Sequence, residues 1–118
     1  MGQALSTNAT SAATARNDAV AIAEAGKKVD QLITENTIAI FSKTTCGYCA
    51  RAKKALSERK QTYKSVELDE VDDGEAIQEY LLEKTKQWTV PNVFINQKHV
   101  GGCDDLLRKL KSGEIKFQ

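Results

Sequence analysis

Cys46-Gly47-Tyr48-Cys49 sets two thiols three positions apart, where the apolar run Ile38-Ala39-Ile40-Phe41 gives way to a helical pattern. Two cysteines at that spacing can close a small disulfide ring. At a helix start, unpaired backbone N–H groups and the macrodipole favour an anion. A thiolate is such an anion, and it is the reactive form of cysteine. Lys43, three residues earlier, adds positive charge beside it. The pair therefore reads as a dithiol redox site. A zinc clip is the competing chemistry, because Cys46, Cys49, His99 and Cys103 make up a Cys₃His set of the kind zinc uses. Both halves of that set adjoin apolar strand segments rather than short knuckles, which argues for redox.

The elements around the pair follow from periodicity. Ile22, Ala25, Val29, Leu32 and Ile33 recur at three- and four-residue steps, so they form one apolar stripe of a helix. Asn17 or Asp18 could cap that helix, and it should end near Asn36. Residues 38–41 fit a strand buried on both faces. From Gly47 to about Lys60 the pattern turns helical, with Ala52, Ala55 and Leu56 inward and Arg51, Lys54 and Glu58 outward. Tyr63, Val66 and Leu68 suggest a second strand, and Asp72-Asp73-Gly74 punctuates the chain before a helix bearing Ile77, Tyr80 and Leu81. After Pro91, Val93–Ile95, the turn Asn96-Gln97 and Lys98–Val100 read as a hairpin. Gly101-Gly102 breaks the sheet, and a last helix carries Leu106, Leu107 and Leu110 up to Gly113. A right-handed crossover makes the first two strands parallel, so the sheet is mixed. The fold class is α/β.

Size and charge narrow the functions. A chain of 118 residues suits one modest core. Charged residues of both signs make up 28%, with a net charge of +1, so there is no electrostatic case for nucleic acid. Three cysteines are too few, and odd in number, for a secreted disulfide scaffold. No segment reaches the roughly 20 apolar residues that span a bilayer. No apolar stretch follows a basic start, so a secretory signal is not expected.

Three ordered motifs, Lys43–Cys49 (KTTCGYC), Thr89-Val90-Pro91, and Gly101-Gly102-Cys103-Asp104-Asp105, resemble those of a glutaredoxin from about Asp30 to Gly113. The similarity is nearest to the dithiol, class I, plant-type form with CGYC. It implies a thioredoxin-like fold, a four-stranded mixed sheet flanked by helices, here with an extra N-terminal helix. It also implies a glutathione-dependent oxidoreductase that reduces protein–glutathione mixed disulfides and protein disulfides. Cys46 would attack and Cys49, one turn inside the helix, would resolve.

The resemblance also assigns a glutathione site. Lys43 and Gln78 would bind the glycine carboxylate, and the backbone of Val90, beside a cis Pro91 after Thr89, would hold the cysteinyl part. The Cys103 amide with Asp104 would fix the γ-glutamyl end, Gly102 would admit close backbone approach, and Tyr48 would pack beside the sulfur. Its implied partners are glutathione and glutathionylated or disulfide-bonded proteins, with the enzyme acting as a monomer.

Two departures bear on activity. Trp88 stands where many relatives carry a cation, so the glycine-carboxylate side loses a charge. Gly47 stands where proline is commonest. Relatives without that proline include those that hold a [2Fe–2S] cluster between two protomers, with Cys46 as this chain's ligand. A cluster-bridged homodimer acting as iron–sulfur carrier or sensor is therefore the alternative function. His99 is expected to face solvent. Residues 1–17, rich in Ala, Ser and Thr, read as a flexible tail before a domain over residues 18–118. Met1–Ser6 fits an N-myristoylation pattern on Gly2. The expected location is cytoplasmic, with a membrane-associated or organellar one as the alternatives.

Overall fold

The computed structural model describes residues 2–117, with residues 2–17 described through their backbone alone. Met1, which opens the acylation pattern, and every side chain of the tail lie outside that description. Among the described residues the chain forms four helices and four strands: α1 Gly2–Glu35, β1 Ile38–Ser42, α2 Gly47–Glu58, β2 Lys64–Glu67, α3 Gly74–Thr85, β3 Asn92–Ile95, β4 Lys98–Gly101 and α4 Cys103–Ser112. The sheet order is β2-β1-β3-β4. β1 and β2 are parallel, and the pairs β1–β3 and β3–β4 are antiparallel. The mixed sheet agrees with the sequence, and the thioredoxin-like architecture with what the resemblance implies.

The first helix differs from expectation. It runs through Asn17 and Asp18 instead of being capped there. Alanine, the strongest helix former, recurs at 12, 13, 15, 19 and 21, and no Pro or Gly interrupts this stretch. The helix stops one residue before Asn36, whose side chain donates to the Leu32 carbonyl at 2.8 Å and satisfies one of the last free acceptors.

β1 explains how one short strand organises two cores. Successive side chains of a strand point to opposite faces. Ile38 and Ile40 go to one face with Val93, Ile95, Leu56, Leu106 and Leu110, between the sheet and α2 and α4. Ala39 and Phe41 go to the other face with Val29, Ile33, Leu68, Ile77, Leu81 and Phe94, under α1 and α3. Phe41 meets Phe94 edge to face, with ring centroids 6.0 Å apart. Each fully buried Leu, Ile or Phe contributes about 1.5–3 kcal/mol from apolar burial. All five residues of β1 are buried, so the strand's C-terminal end is held rigidly where the cysteine loop begins.

On the α1/α3 face a close approach matters. A Cβ on Gly26 would lie 2.4 Å from the Tyr80 ring, so only glycine lets these helices pack so closely. Tyr80 donates to Asp30 at 2.6 Å, and that bond to a carboxylate pushes its hydroxyl up to about 12. No described helix is long and apolar enough to cross a membrane.

Candidate active site

Cys46 is the N-cap of α2. Its backbone is extended (φ −94°, ψ 116°), and its sulfur accepts from the N–H of Cys49 at 3.2 Å. A capping side chain normally offers oxygen to this donor; here sulfur takes that place. Cys46 is partly exposed, whereas Cys49 is 1% exposed. Burial pushes the Cys49 thiol up, and its contact with Cys46 adds to the rise. The Lys43 amide and Ser42 hydroxyl, which reach the same sulfur, offset this only in part. An accessible sulfur on the helix dipole thus sits beside a protonated, buried one, an arrangement that an attacking and a resolving thiol would need.

The loop entering the helix is tied to the turn that follows β2. The amide of Thr44 donates to the Asp69 carboxylate at 3.1 Å, and its hydroxyl donates to the same group. That hydroxyl holds the Asp69 carboxyl below the usual range. Beneath the loop, Ser42 is fully buried and donates to Glu67 at 2.9 Å, and Glu67 also accepts from Lys53 and Ser65. Burial alone would raise Glu67, but these hydrogen bonds outweigh it and lower the carboxyl.

The loop before β3 supplies the opposite wall. The Val90–Pro91 bond is cis, as the resemblance implies. The Val90 carbonyl lies 3.7 Å from the Cys46 sulfur. Gln78 is buried, and its amide nitrogen donates to the Trp88 carbonyl at 2.7 Å, which supports the loop from below. Trp88 is half exposed and is therefore no core residue.

Two clefts flank this loop. One, of about 460 Å³, is lined by Tyr48, Thr89, Val90, Pro91, Gly102, Cys103 and Asp104, together with Gln87 and Asp105. Seven of the expected glutathione-site residues therefore share one wall system. The other, of about 870 Å³, brings Lys43, Gln78 and Trp88 together with Asp18 and Ile22 of α1 and with Asp72 to Glu79 of α3 and the turn before it. Tyr48 is exposed, with the Arg51 guanidinium 5.7 Å from its ring centre. Cys103 is buried at the first position of α4, and burial raises its thiol.

The zinc set does not assemble. His99 is exposed as expected, but its Nε2 turns toward Asn92 at 2.9 Å and Gln87 at 3.2 Å. Among the described residues no group of three His, Cys, Asp or Glu side chains is placed to hold a metal ion. Sequence reasoning passed over Asp69, Gln87 and Asn92. Asp69 sits in the turn just past β2, outside the three motifs that carried the resemblance. Gln87 and Asn92 flank the proline motif with no periodic signal of their own.

A family model described as Glutaredoxin matches residues 38–100. "Glutaredoxin-1" of Rhizophagus irregularis is 50% identical over 88 residues, which are 75% of this chain and 87% of that protein. "Glutaredoxin-C1" of Arabidopsis thaliana is 46% identical over 75% of this chain and 70% of its own length. Among solved structures, a buckwheat glutaredoxin–glutathione complex superposes with a TM-score of 0.78. It is 47% identical and covers 80% of this chain and 86% of that one.

Proposed function

The chain belongs to the glutaredoxin family of thiol oxidoreductases, and we propose that it reduces protein–glutathione mixed disulfides and protein disulfides at the expense of glutathione. The supporting observation is the asymmetry of the pair: an accessible Cys46 sulfur capped by an N–H, and a buried Cys49 directly behind it.

In the first reaction the Cys46 thiolate attacks the glutathione sulfur of a protein–glutathione disulfide. The S–S bond breaks, the protein thiolate leaves and takes a proton, and glutathione remains on Cys46. A glutathione thiolate then attacks that glutathione sulfur, which frees the Cys46 thiolate and forms oxidised glutathione. With a protein disulfide, Cys46 forms a mixed disulfide with the protein. Cys49 loses its proton and attacks the Cys46 sulfur, the second protein thiol leaves, and two glutathiones reduce the resulting Cys46–Cys49 bond. Exchange through thiolate attack on a mixed disulfide is the general route.

Glutathione would lie along the loop, its cysteinyl backbone paired with Val90 in the manner of an added strand. The buckwheat relative, solved with glutathione, supports a tripeptide of this kind as co-substrate. Its γ-glutamyl end would meet the N-terminus of α4 at Cys103 and Asp104, where free N–H groups favour a carboxylate. Its glycine end would point to Lys43 and Gln78, with Trp88 alongside. The enzyme would work as a monomer in a reducing compartment, the cytoplasm first, since cysteines stay reduced there. Glutathione-coupled reduction of a glutathionylated peptide tests the reading; a purified dithiol protein that alkylates at Cys46 but shows no turnover would sink it.

A second reading is a glutathione-ligated [2Fe–2S] homodimer. A [2Fe–2S] cluster takes four such ligands, and this chain offers one accessible sulfur near the loop, Cys46, with Cys49 and Cys103 buried. The donor set fits only if two protomers and two glutathione thiols share the cluster. Gly47 favours it, because it stands where the relatives that hold such a cluster also lack proline. Absorbance and mass after anaerobic reconstitution with glutathione test it; a colourless monomer excludes it.

A further inference from the structure

The loop that faces Cys46 is held by a chain of hydrogen bonds reaching it from the far edge of the sheet. The Gln87 side chain donates both hydrogens of its amide to the backbone, to Thr89 O at 3.0 Å and Pro91 O at 2.9 Å. Those two carbonyls flank Val90. With both occupied on one side, the Val90 carbonyl is the one presented to Cys46, at 3.7 Å.

The partners of Gln87 determine each orientation. Its nitrogen serves two acceptors, so its oxygen must face His99 Nε2, at 3.2 Å. Asn92, 1% exposed, donates through its nitrogen to Thr85 Oγ1 at 3.3 Å, and that hydroxyl gives its own proton to Leu81 O at 2.7 Å. The Asn92 oxygen therefore also faces His99 Nε2, at 2.9 Å. Two amide oxygens converge on one ring nitrogen, which must carry a hydrogen. His99 is placed for this by β-pairing opposite Phe94, whose ring lies 5.2 Å from the imidazole. Gly102 borders this network: a Cβ there would be in ordinary contact, 3.7 Å from Pro91 O and 3.9 Å from Gln87 Nε2.

We infer that Gln87 and His99 are positioning residues of the active site: His99 orients the Gln87 amide, and Gln87 clamps the carbonyls of Thr89 and Pro91 so that the Val90 backbone is presented to substrate above Cys46. The inference rests on the proposed pairing of substrate with Val90. Neither residue reaches the reacting sulfurs. Both act through the placement of one peptide unit, and tolerance for such misplacement is small.

Three variants and two readouts test it. Gln87→Ala removes the clamp, His99→Phe keeps the ring stack and removes the N–H, and His99→Gln returns an amide N–H near the same place. In glutathione-coupled reduction of a glutathionylated peptide, Gln87→Ala and His99→Phe raise KM about five- to tenfold, the scale of one or two lost hydrogen bonds. His99→Gln recovers most of that loss. Alkylation of Cys46 by iodoacetamide, which needs no backbone pairing, keeps its wild-type rate in all three. The second readout needs no turnover: the ¹⁵N order parameter of Val90 drops from the rigid value of about 0.85 toward the flexible range in Gln87→Ala and His99→Phe. Wild-type KM together with a rigid Val90 in both variants overturns the inference. If the unmodified protein turns over no glutathionylated peptide, the functional reading has failed, and the Val90 order parameter alone then supports or overturns the clamp.

Discussion

The backbone N–H of Cys49 is aimed at the sulfur of Cys46 from 3.2 Å, while the Cys49 side chain itself is buried behind it. In the proposed mechanism one residue thus serves the attacking thiol through its main chain and resolves through its side chain. The two contributions separate by mutation, because replacing the side chain leaves the amide in place.

Cys49→Ser is therefore expected to keep the glutathionylated-peptide activity within about threefold of wild type and to lose reduction of protein disulfides. Cys46→Ser loses both, by at least about 10³-fold, since a neutral hydroxyl is no nucleophile toward a disulfide at pH 7. The two assays run side by side on both variants check this. Equal loss in both variants would contradict the assignment of roles.

Asp69 anchors the cysteine loop through Thr44, and its carboxyl titrates below the ordinary value of 3.8. A carboxyl depressed by folding stabilises the native state above its unfolded value, and that contribution disappears as pH falls through the folded value. Asp69→Asn should therefore melt below wild type at pH 7, with the two melting curves converging as pH falls through the folded value of Asp69. A difference in melting temperature that stays constant from pH 7 to pH 2.5 would refute the link.

Trp88 is the single tryptophan of the chain and lines the cleft with Lys43 and Gln78. Its fluorescence should respond to a bound glutathionylated peptide. Trp88→Arg would put a second cation beside Lys43 and lower KM for glutathione about two- to fivefold, the range of an exposed ion pair. The gain should shrink at high salt. An unchanged KM would mean that the glycine carboxylate lies elsewhere.

At Gly74 a Cβ would sit 2.0 Å from the backbone carbonyl of Leu68, a group that cannot swing away. Gly74→Ala must shift α3 or the turn before it, at a cost of about 1–3 kcal/mol or more. Chemical denaturation should show the loss as a lower midpoint. A wild-type midpoint would show that the turn relaxes freely.

Much of this protein could be read along the chain because its signals are local. The stripe Ala25-Val29-Ile33, the apolar run at 38–41 and the Asn96-Gln97 turn each carry their geometry in a few neighbouring residues. All three appear where expected, the turn with positive φ at both residues. The geometry of the cysteine pair was legible for the same reason: a helix start and a three-residue spacing bring Cys46 and Cys49 together without help from elsewhere. The start of α1 was not, because Asn17 and Asp18 are capping types that also sit within a helix when alanines on both sides continue it.

What the tertiary structure alone decided are the long-range polar bonds. Asp69 meets Thr44 across 25 residues of chain, and His99 reaches Gln87 across 12, because parallel and antiparallel strand pairing set those segments side by side. Hydrogen bonds of this sort depend on angles and on distances near 3 Å, to which no periodicity or composition along a chain corresponds. The chain order named the sulfurs; the packing of the sheet determined which backbone groups they face.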